Sequence, residues 1–511
     1  MQQILLPLIT YFPLVGALSV LLCFGDAEAR DKSARWLGLW TTLITLGFSV
    51  LMWVNFDPTV LGLQFEDRLN WLGKYGVTYH TGVDGISLVF ILLTAFLTPL
   101  ALVSGWHSIK TQTRHFVIAM LLLETALFGL FSAQDLVLFY VFYEATLIPS
   151  SLMIGVWGGA RRTWASLQFF LFTFGGSLFM LIGLITMWQQ AGTTDIPTLM
   201  HTHWDTALQC WLLLSFVLAF GVKLPLFPLH AWLPDAYSEA PTPATAMMAG
   251  VLSKAGAYGL LRFGVLMFPD AVRLFAPYLL VLGVIAIIYA AFIAFAQTDM
   301  KKLIAYSSFS HMGMIAVGLF TLTVEGVDGA IFQMLSHGVI IVALFFCVAI
   351  VAWRAKTGQI DRLGGVAHQM PLLALFAMLF TMANVGLPGT GAFVGEVLVL
   401  MGAVKISFWL ALLAGTTLIM GAVYMLSLYH RVLFGSVKET IALIRDLTAS
   451  EMAVLVPLAV VTLWMGVYPS SFIRLFDPVV MQTVHGVTMG TLSTSLHGSD
   501  IGGAVIHVAS R

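Results

Sequence analysis

Seven ionisable side chains lie inside long apolar stretches of this sequence, where a charge is costly. They are Glu124, Glu144, Lys223, Lys254, His311, His337 and Glu396. A charge near the centre of a bilayer costs roughly 3 kcal/mol on insertion scales, so each of these side chains needs a partner or a task. Burial disfavours the charged form of a lysine, a nearby carboxylate favours it, and a histidine can donate and accept near neutral pH. These residue types predict stepwise proton transfer inside a membrane protein.

Polar side chains near these residues recur at helical spacing, so that several helices have one narrow hydrophilic face. The groups are Tyr140, Tyr143 and Glu144; Lys254, Tyr258 and Arg262; Ser307 and His311; and Gln333, Ser336 and His337. A protein that only filled space would have little use for such stripes. We therefore expect the hydrophilic faces to line a shared path, with Tyr258 in a supporting role.

Some of these residues also have a purely structural explanation. A lone buried histidine is more often a packing residue than a relay, which leaves His311 and His337 open. Arg262 lies near a helix end, so we expect its guanidinium to reach the membrane surface and to anchor the helix there. Glu124 is a supporting candidate that could equally accept a hydrogen bond from a neighbouring helix. Lys223 is different, because an unpaired lysine beside a broken helix has no inexpensive structural role.

The elements that position these residues are predicted to be transmembrane helices. The chain has 511 residues, of which 59% are apolar and 10% charged, a balance typical of an integral membrane protein. Fourteen apolar windows long enough to span a bilayer begin near residues 2, 36, 83, 116, 135, 166, 207, 243, 272, 299, 326, 371, 407 and 451. We number them TM1 to TM14 and expect TM1 to be a helix rather than a cleaved signal peptide. The stretch after about Phe472 is weakly patterned and is expected at the surface.

The distribution of charge predicts the orientation and excludes several classes of partner. Fifteen of the 24 Lys and Arg residues lie in the loops after TM1, TM3, TM5, TM9, TM11 and TM13, six lie on the opposite side and three lie within the membrane. This bias places both termini on the non-cytoplasmic side. The net charge of −1 argues against nucleic acid, and the three isolated cysteines offer no CxxC pair for an iron–sulfur cluster.

Two helices are predicted to be interrupted. Lys223 in TM7 is followed by Pro225 and Pro228, and TM12 contains Pro388 within a glycine-rich stretch. Proline removes a backbone donor and opens the helix, and freed backbone groups are tolerated at membrane depth only inside protein or beside water. These breaks therefore predict sites that are hydrated or functional.

An internal repeat relates the two breaks. The segments FSAQDLVLFYVF, from residue 131, and IAFAQTDMKKLIAYSS, from residue 293, share an AQ…D turn, and VKLP (222–225) corresponds to VGLP (385–388) at nearly the same offset. We therefore expect an all-α polytopic fold with two inverted five-helix repeats, TM4–TM8 and TM9–TM13, a layout of ion-translocating proteins. The predicted divisions are 1–115, 116–270 (input half-channel), 271–435 (output half-channel) and 436–511.

Six segments resemble the antiporter-like subunits of respiratory complex I, the proton-pumping NADH:quinone oxidoreductase. They are FYEATLIPS (142–150), KLPLFPLHAWLPDAYSEAPTP (223–243), LSKAGAYGLLRF (252–263), AQTDMKKLIAYSSFSHMG (296–313), FQMLSHG (332–338) and GLPGTGAFVGE (386–396). Among the three subunits of this family the M type is the most similar. The sequence does not show the long lateral helix of the L type, and Glu396 stands where the N type typically has lysine.

This resemblance implies a mechanism, a location and partners. Protons would enter from the cytoplasmic side to Glu144 and Lys223, pass through Lys254 and the two histidines, and leave near Glu396. NADH, FMN, iron–sulfur clusters and quinone would reside in other subunits, and this chain would hold no cofactor and no metal. Its partners would be lipid and the neighbouring antiporter-like subunits L and N, and we expect a bacterial inner membrane rather than a mitochondrial one.

Three alternatives remain at this point. A homologous subunit of a multi-subunit sodium/proton antiporter or of a membrane-bound hydrogenase would use the same buried residues. Identifying the proteins that copurify with this chain would distinguish these alternatives from complex I. An electron-transfer subunit with His311 and His337 as haem ligands would show a Soret band. A passive scaffold would keep pumping after replacement of Lys223 by Ala.

Overall fold

The computed structural model describes residues 2–24, 26–441 and 444–489. Within them the chain forms 21 α-helices, a two-stranded sheet and two π-helical segments. The α-helices are α1 (Gln2–Leu21), α2 (Ala27–Asn55), α3 (Gly85–Ser104), α4 (Thr113–Ser132), α5 (Leu136–Ala145), α6 (Leu147–Trp157), α7 (Arg162–Ala191), α8 (Ile196–Met200), α9 (Thr206–Lys223), α10 (Leu233–Glu239), α11 (Thr242–Met247), α12 (Ser253–Gly259), α13 (Pro269–Phe295), α14 (Met300–Phe320), α15 (Val324–Ala355), α16 (Val366–Gln369), α17 (Pro371–Asn384), α18 (Gly391–Ile406), α19 (Phe408–Leu433), α20 (Ala449–Val467) and α21 (Ser470–Met489).

The described residues contain twelve helical spans that are long and apolar enough to cross a membrane. They coincide with twelve of the fourteen predicted windows, α5 and α6 forming one span together. The other two windows, TM8 and TM12, are divided into shorter helices. TM8 alternates between α-helix and π-helix, and TM12 is interrupted between α17 and α18. The mainly helical membrane fold is thus confirmed, while fourteen crossings and the inverted repeat stay predictions.

Both predicted breaks are present. α9 ends at Lys223 and α10 begins at Leu233, so Pro225 and Pro228 lie in a non-helical connection. α17 ends at Asn384 and α18 begins at Gly391, with Pro388 between them. Missing backbone donors and the clash of the proline ring with the preceding turn account for both interruptions.

The helix that follows the first break is irregular in another way. Two π-helical segments, Met248–Leu252 and Leu260–Val265, enclose the short helix α12. A π turn shifts the hydrogen bonds from i→i−4 to i→i−5, is rare and is frequent at functional sites. Lys254 lies on α12 and is thereby carried by the least regular part of the bundle.

The shared AQ…D turns have the same structural role. Asp135 caps α5 by accepting from the backbone N–H of Val137 at 2.9 Å, and Asp299 caps α14 by accepting from that of Lys301 at 2.9 Å. An aspartate at this position satisfies donors that the first helical turn leaves free. Each of the two aspartates also forms an isolated β-bridge with a later loop.

A β-hairpin between α2 and α3 was absent from the sequence prediction. Strands β1 (Gln64–Leu72) and β2 (Val77–Val83) pair antiparallel around a short turn that ends at Gly76, where φ is +67°. Its polar, partly β-branched residues give no apolar window, so hydropathy could not reveal it. We call the side that carries this hairpin the outer side, because the charge distribution predicts it to be non-cytoplasmic.

The stretch after Phe472 also differs from the weakly patterned tail expected there. Residues 470–489 form helix α21, which packs against α3 and α15 on the outer side. Gly85, at the start of α3, lies against the backbone of Leu475 and Phe476 so closely that a Cβ atom would not fit. The part of the predicted tail beyond residue 489 lies outside the described residues.

The centre of the bundle is formed by α14 and α15. Of their apolar windows, 94% and 89% are buried, against 33% for α19 and α20. These two helices carry His311 and His337, respectively. The fold therefore places the two histidines in the most enclosed part of the protein.

Candidate proton-transfer site

Lys223 lies at the last residue of α9, with 3% of its surface exposed. Its ammonium donates to the carbonyl of Tyr143 at 3.3 Å and to the hydroxyl of Thr146 at 2.9 Å. The same group lies 3.5 Å from the centroid of the Tyr143 ring, a cation–π distance. Neutral oxygens and an aromatic face therefore hold this buried cation.

Glu144 is less buried than expected, although its carboxylate is close enough to act electrostatically on the Lys223 ammonium. Its side chain is partly exposed on the lateral surface of the isolated chain, whereas its neighbours Tyr143 and Thr146 are buried. Because α5 has only ten residues and turns one face toward α9, adjacent residues on it point in different directions. We call Tyr143, Glu144, Thr146 and Lys223 the Lys223 cluster.

Lys254 is fully buried and contacts a histidine directly. Its ammonium donates to the carbonyl of Ala249 in the preceding π segment and lies 3.0 Å from Nδ1 of His337. The ring of His337 in turn lies 5.2 Å from that of His311, measured between centroids. A lysine and two histidines predicted from separate motifs thus meet in the interior.

Glu396 completes this group of residues. Its Oε1 lies 3.4 Å from Nδ1 of His311, and Nε2 of Gln333 lies 3.4 Å from both atoms. Glu396 Oε2, His311 Nε2 and His337 Nε2 have no hydrogen-bond partner among the described residues. We call Lys254, His337, His311, Gln333 and Glu396 the Lys254–Glu396 chain.

Two glycines allow the backbone to approach Glu396 and Gln333. Gly386, in the second break, has φ of +87°, and a Cβ atom there would lie 2.5 Å from Oε2 of Glu396. A Cβ atom at Gly395 would lie 2.5 Å from Oε1 of Gln333. Positive φ and close contact both require glycine, which explains part of the glycine-rich sequence around Pro388.

The Lys223 cluster and the Lys254–Glu396 chain are connected by a contact between backbone atoms. Gly256 on α12 faces the end of α9, where a Cβ atom would lie 2.7 Å from the carbonyl oxygen of Phe220 and 2.9 Å from the carbonyl carbon of Lys223. The helix that carries Lys254 is therefore in direct contact with the residue that carries the other buried ammonium. The side chains of Lys223 and Lys254 nevertheless point to different partners.

The supporting residues have separate environments. Glu124 is fully buried on α4, and neither carboxylate oxygen has a hydrogen-bond partner in the part of the chain that is described. Tyr258 binds the hydroxyl of Ser87 at 3.0 Å and the carbonyl of Phe131 at 3.1 Å, on the outer side of Lys254. Neither residue contacts the Lys254–Glu396 chain through a hydrogen bond.

Arg262 is not the surface anchor that its place near a helix end suggested. Its side chain is about 90% buried, forms an ion pair with Asp84 and binds the hydroxyl of Ser87 at 3.1 Å. Asp84 caps α3 by accepting from the backbone N–H of Ser87 at 2.9 Å. Asp84 and Ser87 were not predicted from the sequence, although an aspartate directly before an apolar helix is a signal for a cap.

Further polar residues extend the hydrophilic interior. The Ser307 hydroxyl lies 3.1 Å from that of Tyr424 and accepts from the amide of Asn384 at 3.0 Å. Ser307 lies one turn before His311 on α14, as its spacing predicted. Tyr424 and Asn384 were missed, because a single polar residue in an apolar helix has no periodicity to reveal it.

A separate cluster lies outside the membrane, in the hairpin. His80 is buried, with Nδ1 2.7 Å from Asp195 and Nε2 2.9 Å from Glu66. Burial lowers the pKa of His80, but hydrogen bonds to Asp195 and Glu66 and their charges outweigh burial and leave the pKa raised. Burial likewise raises the pKa of Asp195, but hydrogen bonds from His80 and Thr198 and the charge of Arg68 outweigh it and lower the pKa to about 2.

In the described residues no group of three or more His, Cys, Asp and Glu side chains is arranged to hold a metal ion. What the interior offers instead is titratable nitrogen and oxygen atoms in contact across several helices. Together with the broken helices, this arrangement defines an ion-translocating membrane subunit.

Sequence comparison identifies the family. Residues 133–421 match the model for the transmembrane region of NADH:quinone oxidoreductase and Mrp antiporter subunits, and residues 33–129 match the amino terminus of NADH-ubiquinone oxidoreductase chain 4. The chain belongs to this family of antiporter-like membrane subunits. It is 45% identical to NADH-quinone oxidoreductase subunit M of Rhodobacter capsulatus, covering 98% of this chain and 100% of that protein. It is 42% identical to NADH-ubiquinone oxidoreductase chain 4 of Chondrus crispus, covering 90% and 94%.

Solved structures show the same fold. A chain of respiratory complex I from Thermus thermophilus matches with a TM-score of 0.85 and 33% identity, covering 94% of this chain and 99% of that one. A chain of the archaeal membrane-bound sulfane sulfur reductase matches with a TM-score of 0.81 and 26% identity, covering 92% and 77%. A chain of the Mrp complex from Dietzia sp. is 22% identical with a TM-score of 0.79, covering 98% and 53%, and this likeness shows the fold alone.

Proposed function

We propose that this chain is the M-type membrane subunit of a proton-translocating NADH:quinone oxidoreductase, and that the Lys254–Glu396 chain carries protons. The observation that supports this proposal best is the contact of Lys254 with His337, and of Glu396 with His311, since the two histidines lie on the two most buried spans, α15 and α14. The full-length similarity to subunit M, at 45% identity, favours complex I over the more distant sulfane sulfur reductase and Mrp complexes.

Each residue of the Lys254–Glu396 chain has a chemical role in this proposal. Lys254 holds a proton that it can pass to Nδ1 of His337, 3.0 Å away. The adjacent histidine rings relay the proton, since each has one nitrogen without a partner among the described residues. Glu396 receives it beside the second break, and Gln333 holds the Glu396 and His311 side chains in contact.

The Lys223 cluster supplies the input. Lys223 would take up protons from the cytoplasmic side, with Glu144 placed where a neighbouring subunit would cover it. The partial exposure of this carboxylate on the lateral face supports a partner there. We propose the antiporter-like subunits L and N as the neighbours.

The location of the cofactors belongs to the same proposal. NADH, FMN, iron–sulfur clusters and quinone would be held by other subunits, and their reduction would drive this chain through conformational and electrostatic coupling. A bacterial inner membrane is the proposed location, supported by the similarity to a bacterial relative over the whole chain.

Replacement of Lys254 by Ala tests the proposal. A group that transfers protons contributes typically about 10² to 10⁴ in rate, so proton uptake by membrane vesicles oxidising NADH should fall at least ~tenfold. NADH oxidation by an artificial acceptor in the peripheral arm should be unchanged, which shows that electron entry is intact, and the presence of the variant subunit in the purified complex reports assembly. Lys74→Ala, at an exposed lysine of the hairpin turn, is the matched control and should pump normally. Normal pumping by Lys254→Ala would refute the proposal.

A further inference from the structure

The segment that carries Lys254 is not a regular α-helix. It consists of a π segment, seven residues of α-helix and a second π segment. Because π turns are rare and interrupt the regular i→i−4 hydrogen bonds, we expect the orientation of this helix to depend on contacts with its surroundings. Its middle packs on α9 at Gly256 and Gly259, and its polar side-chain contacts outside the Lys254–Glu396 chain include one set at each end.

At the inner end, the Tyr237 hydroxyl donates to the carbonyl of Met248 at 3.2 Å. At the outer end, Arg262 forms an ion pair with Asp84 and donates to Ser87 at 3.1 Å. Ser87 also binds Tyr258, one turn closer to Lys254, at 3.0 Å. We call Asp84, Ser87, Tyr258 and Arg262 the outer tether.

The outer tether joins the helix of Lys254 to a fixed part of the fold. Asp84 is the cap of α3, and the next residue, Gly85, lies directly against the backbone of α21. All four tether residues are buried, so water cannot readily replace their contacts. A change in the tether would therefore move the helix relative to His337 and Lys223.

The tether also balances charge near Lys254. Arg262 follows Lys254 by eight residues, which places the two Cα atoms roughly 12 Å apart along the helix. The titratable group that contacts Lys254 from another helix is His337 on α15, with His311 behind it on α14. Lys223 on α9 packs on the same helix through its backbone only, and its ammonium binds Tyr143 and Thr146. Asp84 is the carboxylate that neutralises Arg262. Without it, a second positive charge would disfavour protonation of Lys254.

We infer that Asp84 and Arg262 form a positioning pair for proton transfer, which sets the place of Lys254 and balances the charge beside it. This inference rests on the proposed role of Lys254, but neither residue belongs to the chain that carries the proton. It assigns a function to an ion pair that would otherwise serve only to join two helices.

The test uses two single variants, one that removes the negative charge of the pair and one that removes the positive charge. Asp84→Asn keeps the cap of α3, because asparagine also caps helices, but leaves Arg262 unbalanced. Repulsion from the unbalanced guanidinium should shift the pH profile of NADH-driven proton uptake to lower pH, by about one unit for charges separated by roughly the Cα spacing of 12 Å at an effective dielectric constant near 20. Arg262→Gln leaves Asp84 unbalanced, and the profile should shift toward higher pH. The measurement uses membrane vesicles that contain the whole complex.

Controls separate this inference from the proposed function. Asp270→Asn removes a carboxylate from a solvent-exposed ion pair on the same side and should leave the profile unchanged. The positioning role would be overturned if both tether variants kept the wild-type pH profile of proton uptake, or if both profiles shifted in the same direction. Failure of both variants to assemble would also overturn it, because the pair would then be purely structural. If Lys254→Ala also pumps normally, the proposed function itself has failed. Opposite shifts in assembled complexes support the inference.

Discussion

The two halves of the interior hold their lysines in different ways. Lys223 is bound by a carbonyl, a hydroxyl and an aromatic ring, and its expected carboxylate partner Glu144 is partly exposed. Lys254 is in direct contact with a titratable histidine, which continues to a second histidine and to Glu396. The first arrangement holds a charge, whereas the second offers a route for it.

This difference indicates where movement is needed. In the Lys254–Glu396 chain, Lys254 and His337 lie 3.0 Å apart, His311 and Glu396 lie 3.4 Å apart, and the centroids of the two histidine rings are separated by 5.2 Å. Transfer there requires reorientation of the two rings. In the Lys223 cluster, transfer requires water, rotation of Lys223 or a partner over Glu144. The broken connection after Lys223 suits such a movement, because it is less constrained than a continuous helix.

The largest expected effect is loss of pumping after replacement of Lys223. Lys223→Arg keeps the charge, but arginine does not release its proton, so Lys223→Ala and Lys223→Arg should both lower NADH-driven proton uptake at least ~tenfold. Lys405→Ala, at an exposed lysine paired with Glu325, is the control. Normal pumping by Lys223→Arg would show that this cluster only holds a charge, whereas normal pumping by Lys223→Ala would favour a passive scaffold.

A smaller effect is expected for Gln333, which bridges His311 and Glu396. Its two hydrogen bonds are long, at 3.4 Å, and a bond of this kind contributes about 1 kcal/mol, so Gln333→Leu should slow proton uptake about fivefold. Gln168→Leu, which removes an amide bound only to a backbone carbonyl, should have no effect. An unchanged rate in Gln333→Leu would mean that the histidine and Glu396 do not depend on this bridge.

The sequence predicted those parts of the site that depend on local pattern. Lys223 beside Pro225 and Glu396 beside Pro388 could be recognised because proline interrupts apolar helices at a defined place. Ser307 and His311 could be paired from helical spacing alone. Contacts that depend on the packing of distant segments were missed, as the pair of Arg262 with Asp84, 178 residues away, illustrates.

The exposure of Glu144 shows the same limit. An apolar window indicates which residues enter the membrane, but it does not say which face of the helix meets protein and which meets lipid or a partner. The β-hairpin was missed for a related reason, because its two strands are short, polar and held by contacts with loops that lie far along the chain.

The hairpin carries the smallest expected effect, and it depends on pH. His80 has a raised pKa, so the stability that it contributes is complete below its unfolded pKa of about 6.5 and is lost as pH rises through the higher folded value. The contribution of Asp195 is lost only as pH falls toward about 2, far below this range. Hydrogen exchange of residues 64–83 in the intact complex, corrected for intrinsic rates, should therefore accelerate as pH rises from about 6.5 through the raised folded pKa of His80, on the order of tenfold for a lost charge-assisted bond. His80→Gln should exchange quickly at every pH, His203→Gln at an exposed histidine should behave as the wild type, and a flat wild-type profile would exclude the charged His80 contact.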